Sequence, residues 1–422
     1  VDQNSFPLVT RSIANRIDAI RRAKPAPADG RGRNVVVLIE EMLTAVEAER
    51  DRIEHRLGEA SASEAEALGR RLLRLLAQVT SFSTLTPYLA DVGRRDLSLG
   101  LIQTADVLVQ ALLPSGADTV IHLDEHHMYS TLDLLALTKP TLSALGNDTT
   151  METVPLVLFV PGIDPHSALL LPILAHEVGH SAVEQAGLGS TTLSTANLDP
   201  LNVLFDECLR AAGDPDPGPW QVQLFGWIDE LLCDALALAL TGPSFLFAES
   251  AFLPAPQLGT VGSHPFPSDR IRFALNALRT LGWEQVLRDR VPHLLTWLNS
   301  VAEVGRPPVD PRERFLREGL RTLEDTILST ARKHVSDPMT PDVFDNFDSR
   351  VMELMNLAVP PSQVGIEPVP PWMIVLAGWL HQFAQQGDEA ETLAVATGDK
   401  VFNEYILKAI EMSRVAALWN TT

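Results

Sequence analysis

The chain has 422 residues, enough to bury a sizeable core and to form two or three domains or one large elaborated one. Apolar residues make up 45% and charged residues 21%, the ordinary balance of a globular protein. Lys and Arg total 33 against 54 Asp and Glu, and a net charge of −21 repels both nucleic acid and anionic membranes.

The first 117 residues read as helices. Ile13, Ile17 and Ile20 recur at helical spacing, as do Leu38, Met42, Val46, Ile53 and Leu57. A turn at Gly58–Ser63 leads into a further helix with Leu68, Leu72, Leu75 and Leu76 on one side, and the charged run Glu47–Arg56 is a solvated face. The character changes at Asp118–Asp124 and Thr153–Val160, where β-branched and apolar residues bounded by Gly, Pro and Asp predict strands. Pro155 cannot donate to a ladder, so the second strand begins in earnest at Leu156. Its unbroken apolar run favours an interior position and Pro155 an edge.

A helix is predicted to start at Asp164-Pro165 or only at Pro172, to run to about Gln185, and to stop at Gly187-Leu-Gly189. The polar stretch Gly189–Pro200 and the loop Gly213–Trp220 bracket a short helix near Leu201–Ala212. A buried helix from about Gln221 to Leu240 follows, and then a Pro/Gly-rich loop to Pro267. From Ser268 onward helix succeeds helix. Asp310-Pro-Arg-Glu313 is a good helix start, and the prolines at 360–361 and within 368–371 bound a linker-like segment. The fold expected is mainly α with a small β-sheet, an α+β arrangement.

Two cysteines, Cys208 and Cys233, make no disulfide framework and fit a reducing, cytoplasmic setting. The greasiest runs, Leu156–Val160, Leu169–Ala175 and Trp372–Leu380, fall short of the ~20 apolar residues of a membrane helix, so no membrane insertion is expected. No charged-then-apolar leader follows Val1, which leaves open whether one was removed.

Residues 176–180 read His-Glu-Val-Gly-His. Four residues are slightly more than a helical turn, so His176 and His180 project from one face and can share a tetrahedral zinc. Glu177 points about 100° round the helix, too far to be the natural third ligand but placed to act as general base on a zinc-bound water. A third ligand is sought on the next buried helix, where ionised carboxylates are costly unless paired or metal-bound. Glu230 and Asp234 lie four apart there. Glu230 is the expected third ligand, and Asp234 the carboxylate that holds a ligand histidine, His176, in its tautomer. The bland alternative is a helix start and a surface face, a role that suits Asp229.

HExxH followed some fifty residues later by Glu-x-x-x-Asp resembles the gluzincin metallopeptidases. The stretch His264-Pro265-Phe-Pro-Ser-Asp-Arg270-Ile271 is similar to the His-Pro-x-x-x-x-Arg-Ile signature of one branch, that of the type-1 CAAX prenyl proteases and the heat-shock membrane metallopeptidases. The resemblance spans residues 153–275. It implies a zincin-like catalytic core, placed at 118–285 between helical regions 1–117 and 286–422. It also implies one Zn2+ per chain on His176, His180 and Glu230, and His264 or Arg270 lining the substrate cleft or propping the zinc helix. A role for either in oxyanion stabilisation is physically reasonable, and a salt bridge at its own helix start is the plainer reading of Arg270. Relatives of this kind commonly align an extended substrate along an edge strand at the place of Leu156–Val160.

The chain departs from that branch in lacking membrane helices and in carrying Cys233 where Ala is common. The function expected is a soluble zinc-dependent endopeptidase acting on a protein or peptide, with no nucleic-acid partner. The alternative is a latent or inactive zinc-binding scaffold that acts through its helical surfaces, with an activating partner to open the cleft. A second cluster, His122, Asp124, Glu125, His126 and His127, reads as a solvated strand end. A second metal site there is a lesser reading, and His126, His127 or Tyr129 reaching into the cleft is another.

Overall fold

The computed structural model describes residues 6–23, 32–92, 97–113, 116–124, 129–147, 151, 153–162, 166–213, 218–252, 264–303, 308–360 and 368–420. The chain forms two compact units, Val1–Leu97 with Ser115–Ile163, and Ser98–Pro114 with Asp164–Thr422. Among the described residues no helix is long and apolar enough to cross a membrane.

The first unit contains helices α1 (Phe6–Ala23), α2 (Arg33–Leu57), α3 (Ala62–Phe82) and α4 (Thr86–Asp91). Ile13, Ile17 and Ile20 of α1 meet Leu38, Met42, Val46 and Ile53 of α2 and Leu68, Leu72 and Leu75 of α3 in one buried cluster. Spacings of three and four put each set on a single helix face, and burial of those faces holds the three helices together. Ser61 and Glu64 close a reciprocal capping box that starts α3.

The same unit carries β1 (Ala117–Asp124), β2 (Ser130–Asp133) and β3 (Val154–Pro161), with a further helix at Leu134–Ala144. The strand order is β1-β3-β2, β3 running parallel to β1 and antiparallel to β2. Both edges of β3 are thus paired, and Leu156, Val157, Leu158 and Val160 are fully buried. The apolar run, not Pro155, indicates the right placement. Pro155 sits near the start of β3 opposite Asp118, and a peptide cannot add to this strand. His122 approaches Asp91 at 2.5 Å and packs edge-on against Tyr88 and Phe159. Glu125, His126 and His127 lie outside the described residues, as do Asp164 and Pro165.

The second unit is helical. It begins with α5 (Leu99–Leu112) and, counting Leu134–Ala144 as α6, continues through α7 (Pro172–Ala186), α8 (Leu188–Thr195), α9 (Asp199–Ala212), α10 (Gly218–Thr241), α11 (Pro243–Phe252), α12 (Pro267–Thr280), α13 (Glu284–Arg290), α14 (Pro292–Glu303), α15 (Pro311–His334), α16 (Pro341–Asn356), α17 (Pro371–Gln386), α18 (Ala390–Gly398) and α19 (Lys400–Asn420). α5 belongs here because Gly100 lets it lie directly on the backbone of Leu407 in α19. The divisions at 117 and 285 follow changes in residue character along the chain, whereas the two units follow packing. α10 is apolar on nearly every side and packs against both α7 and α15. Asp310 caps α15 by accepting from the Glu313 N–H at 2.8 Å. Trp372, Leu376, Trp379 and Leu380 of α17 are buried core. The whole is mainly α with a small mixed sheet.

Two segments expected to be loops are helices. Leu188–Thr195 forms α8 although it is rich in Ser, Thr and Gly. Leu188 and Thr192 are buried, and the hydroxyls of Thr191, Ser194 and Thr195 donate to carbonyls three or four residues back. Pro243–Phe252 forms α11. Pro243 suits the first helical turn, and burial of Phe245, Leu246, Phe247 and Ala248 drives the segment inward.

Candidate metal centre

α7 starts at Pro172, after a single 3-10 turn at Ala168–Leu170, and ends where Gly187 takes a left-handed backbone. Along it, His176, Gly179 and His180 share a face. On α10, Glu230, Cys233 and Asp234 share another. The two faces meet because Gly179 has no side chain: a Cβ there would lie 3.2 Å from Cys233 Cα and 3.3 Å from its Cβ. This close crossing brings the carboxylates of one helix onto the imidazoles of the other.

One ligand atom each from His176, His180 and Glu230 lies within 4.8 Å of the other two. Among the described residues this is the one group of three or more His, Cys, Asp or Glu side chains so arranged. Glu230 Oε2 stands 3.5 Å from His176 Nε2, and Oε1 stands 3.8 Å from His180 Nε2. Oε2 is buried and, among the described residues, is met by no hydrogen bond of ordinary geometry, only by the His176 ring at 3.5 Å, and a buried carboxylate oxygen of this kind is stabilised by a cation. Two imidazoles and a carboxylate are a donor set that suits zinc with one position open.

Behind His176 the site is closed. Nδ1 lies 2.8 Å from Asp234 Oδ1, which leaves Nε2 turned toward Glu230. Arg270, from the first turn of α12, donates from Nε to Asp234 Oδ2 at 2.8 Å and from Nη2 to Oδ1. Its Nη2 is also 2.7 Å from Glu249 of α11. Phe245, one turn earlier on α11, stacks parallel to the His176 ring at 6.2 Å. Arg270 therefore stands behind the histidine helix, buried among carboxylates, and acts on His176 through Asp234. It does not take up the salt bridge at its own helix start, because neighbouring Asp269 is engaged by Arg317 at 2.7 Å.

The flank of His180 is more open. Its Nδ1 lies 3.4 Å from Cys233 Sγ, and its side chain is 37% exposed. His264 is at the rim, 59% exposed, with Nε2 3.3 Å from Glu230 Oε1. Beside His180 opens a cleft of about 570 Å³ between the end of α7, the start of α8 and α10.

Charges around the centre are strongly perturbed. Burial by itself would lower His176, but Asp234 and Glu230 outweigh it and hold the imidazole up at about 10. Burial pushes Glu177 up to about 7, with the His176 charge opposing and Glu230 reinforcing. His180 falls to about 4, by burial and then by repulsion from His176. Asp234 is depressed despite burial because Arg270 grips it, and burial drives the Cys233 thiol well upward, so it stays neutral. Burial also raises Glu249 against the pull of Arg270. The metal-free pocket thus holds a proton on His176 where a cation is electrostatically favoured.

The structure brings His176, His180, Glu230, Glu177, Asp234, Arg270 and His264 together in one unit. The sequence reading missed Glu249, although a carboxylate directly after Phe245-Leu-Phe-Ala248 is a signal of the kind that singled out Glu230. Cys233, standing where Ala is common in the branch the chain resembles, is fully buried with its Sγ 3.4 Å from His180 Nδ1. Comparisons of the chain with family models, with curated proteins and with solved structures give no match in any of the three.

Proposed function

We propose that this protein is a zinc-dependent endopeptidase, the metal held by His176, His180 and Glu230. One observation carries the reading: two imidazoles and a buried carboxylate converge, with Glu177 on the same helix, one residue from a ligand. A structural site has no use for a carboxylate one residue from a ligand, whereas a general base acting on metal-activated water belongs there. When bound, the zinc supplies a Lewis acid that polarises the scissile carbonyl and acidifies water.

The chain's own residues supply the rest. Glu177 accepts a proton from the attacking water and delivers it to the leaving amine. Asp234 keeps the His176 Nδ1 proton occupied, so that Nε2 is the free donor. Arg270 and Glu249 hold Asp234 in place. His264, exposed at the rim beside Glu230, is positioned to donate to the oxyanion that develops on the substrate carbonyl.

The test is zinc content by elemental analysis together with chelator-sensitive cleavage of a mixed peptide library. Glu177→Gln should retain about one zinc and lose hydrolysis by roughly 10²- to 10⁴-fold. A Glu177→Gln protein that cleaves like wild type would refute the role of Glu177. Zinc without cleavage in wild type would leave the scaffold alternative, and no zinc would remove both.

A further inference from the structure

The cleft beside His180 is the feature that the chemistry above does not use. Its walls come from the last turn of α7, the first turn of α8 and the middle of α10, and they include Glu184, Leu193, Phe225, Ile228 and Asp229. On α10, Phe225 and Asp229 are four residues apart and Val222 is three before Phe225, so all three share one face. Phe225 is 47% exposed and Val222 71%, large apolar residues left open to solvent in the first half of α10. Gly189 makes room for the acid: a Cβ there would lie 2.6 Å from Asp229 Oδ1.

The electrostatics of the cleft have one sign. Among the described residues no lysine or arginine lines it. Neither Asp229 nor Glu184 forms an ion pair among the described residues. A half-buried carboxylate over an exposed aromatic surface suits a side chain with a long apolar stem and a cationic tip. His180 belongs to both the cleft and the ligand set, so whatever fills the cleft lies next to the reacting bond.

We propose that this cleft is a specificity subsite for a lysine or arginine side chain adjacent to the scissile bond. The stem packs on Phe225, Leu193 and Ile228, and the charge meets Asp229, with Glu184 at the outer rim. The proposal rests on the peptidase reading and names its substrate class: basic peptide segments. The net charge of −21 draws such substrates toward the protein and repels acidic ones.

The experiment uses zinc-loaded protein and peptides that differ only at the residues flanking the scissile bond, with Lys, Arg, Leu or Glu in turn. On one fixed side of the bond, Lys and Arg peptides should be cleaved with kcat/KM about tenfold above Leu, and Glu peptides least of all. Asp229→Asn should remove most of that preference and Glu184→Gln a smaller part. Zinc content and the rate on the Leu peptide should hold to within about twofold. Equal cleavage of Lys and Glu peptides by wild type overturns the proposal, as does an Asp229→Asn variant that loses Leu and Lys cleavage alike.

Binding of the same labelled peptides to zinc-loaded Glu177→Gln, read by fluorescence anisotropy, separates the two levels. If no peptide is cleaved but Lys peptides bind more tightly than Glu peptides and lose that advantage in Asp229→Asn, the subsite stands and the peptidase reading falls. If cleavage occurs and binding shows no charge preference, the peptidase reading stands and the subsite falls.

Discussion

The two histidines of the candidate metal centre lie one helical turn apart and have opposite surroundings. His176 is sealed behind by Asp234, Arg270, Glu249 and Phe245, each from a helix other than its own. His180 has a neutral thiol at its Nδ1 and a cleft at its side. The difference teaches how a rigid and an open requirement can be met on one helix. An ionic chain of buried groups fixes the ligand that needs no access to substrate, and a softer partner serves the ligand that borders the cleft. The protonation pattern follows the same division, with His176 held up at about 10 and His180 down at about 4.

The sharpest way to break this contrast is Asp234→Ala. It leaves Arg270 buried against Glu249 alone, and His176 without its partner. Losing one member of such a buried pair costs about 3–5 kcal/mol of stability, readable as a large fall in the chemical-denaturation midpoint. A variant of near wild-type stability would mean that the ionic chain contributes little. The gentler Asp234→Asn keeps shape and should lower zinc affinity by about 10- to 100-fold, measured by competition with a chromogenic chelator.

Glu249→Gln probes the far end of the chain, with an expected loss of about tenfold or less in zinc affinity, because it acts through two intervening groups. Cys233→Ala, the matching change on the other flank, should move zinc affinity by less than about threefold, since a neutral thiol is only a weak acceptor. If Cys233→Ala proves as damaging as Asp234→Asn, the two flanks are not unequal.

The subtlest test is in pH. In the metal-free protein the folded His176 holds its proton up to about 10, above the ordinary 6.5, and it must release that proton to offer Nε2. His180, down at about 4, is already neutral. Metal affinity should therefore rise by about tenfold per pH unit between roughly pH 8 and pH 10. Near pH 7 Glu177 is about half protonated, and a cation beside it adds a fractional proton release. Without metal the sign reverses for stability. Both groups bind protons more tightly when folded, so the stabilisation is complete below about 4.5 for Glu177 and about 6.5 for His176. It is lost as pH rises through about 7 and about 10, respectively. Calorimetric titration in buffers of different ionisation enthalpy counts the protons, and thermal melts of metal-free protein across that range check the second trend.

Much of this architecture is written in local spacing. A separation of four puts His176 with His180, and Glu230 with Asp234, on single helix faces whatever the helices pack against, because the helical repeat alone dictates it. Apolar periodicity likewise marks α1, α2 and α3, and Gly187 marks the end of α7. What spacing cannot carry is which face meets which. The crossing at Gly179, the turn of Arg270 toward Asp234 and away from the cleft, and the arrival of Glu249 depend on helices up to about ninety residues apart in sequence. The helicity of Leu188–Thr195 overrides a polar composition through burial that exists only in the folded unit, and Pro243–Phe252 is an apolar stretch whose helix the Pro and Gly residues on either side obscure. The interior place of β3 was undecided for the same reason: pairing partners are a property of the sheet, and a strand's own residues report only how well it tolerates being covered.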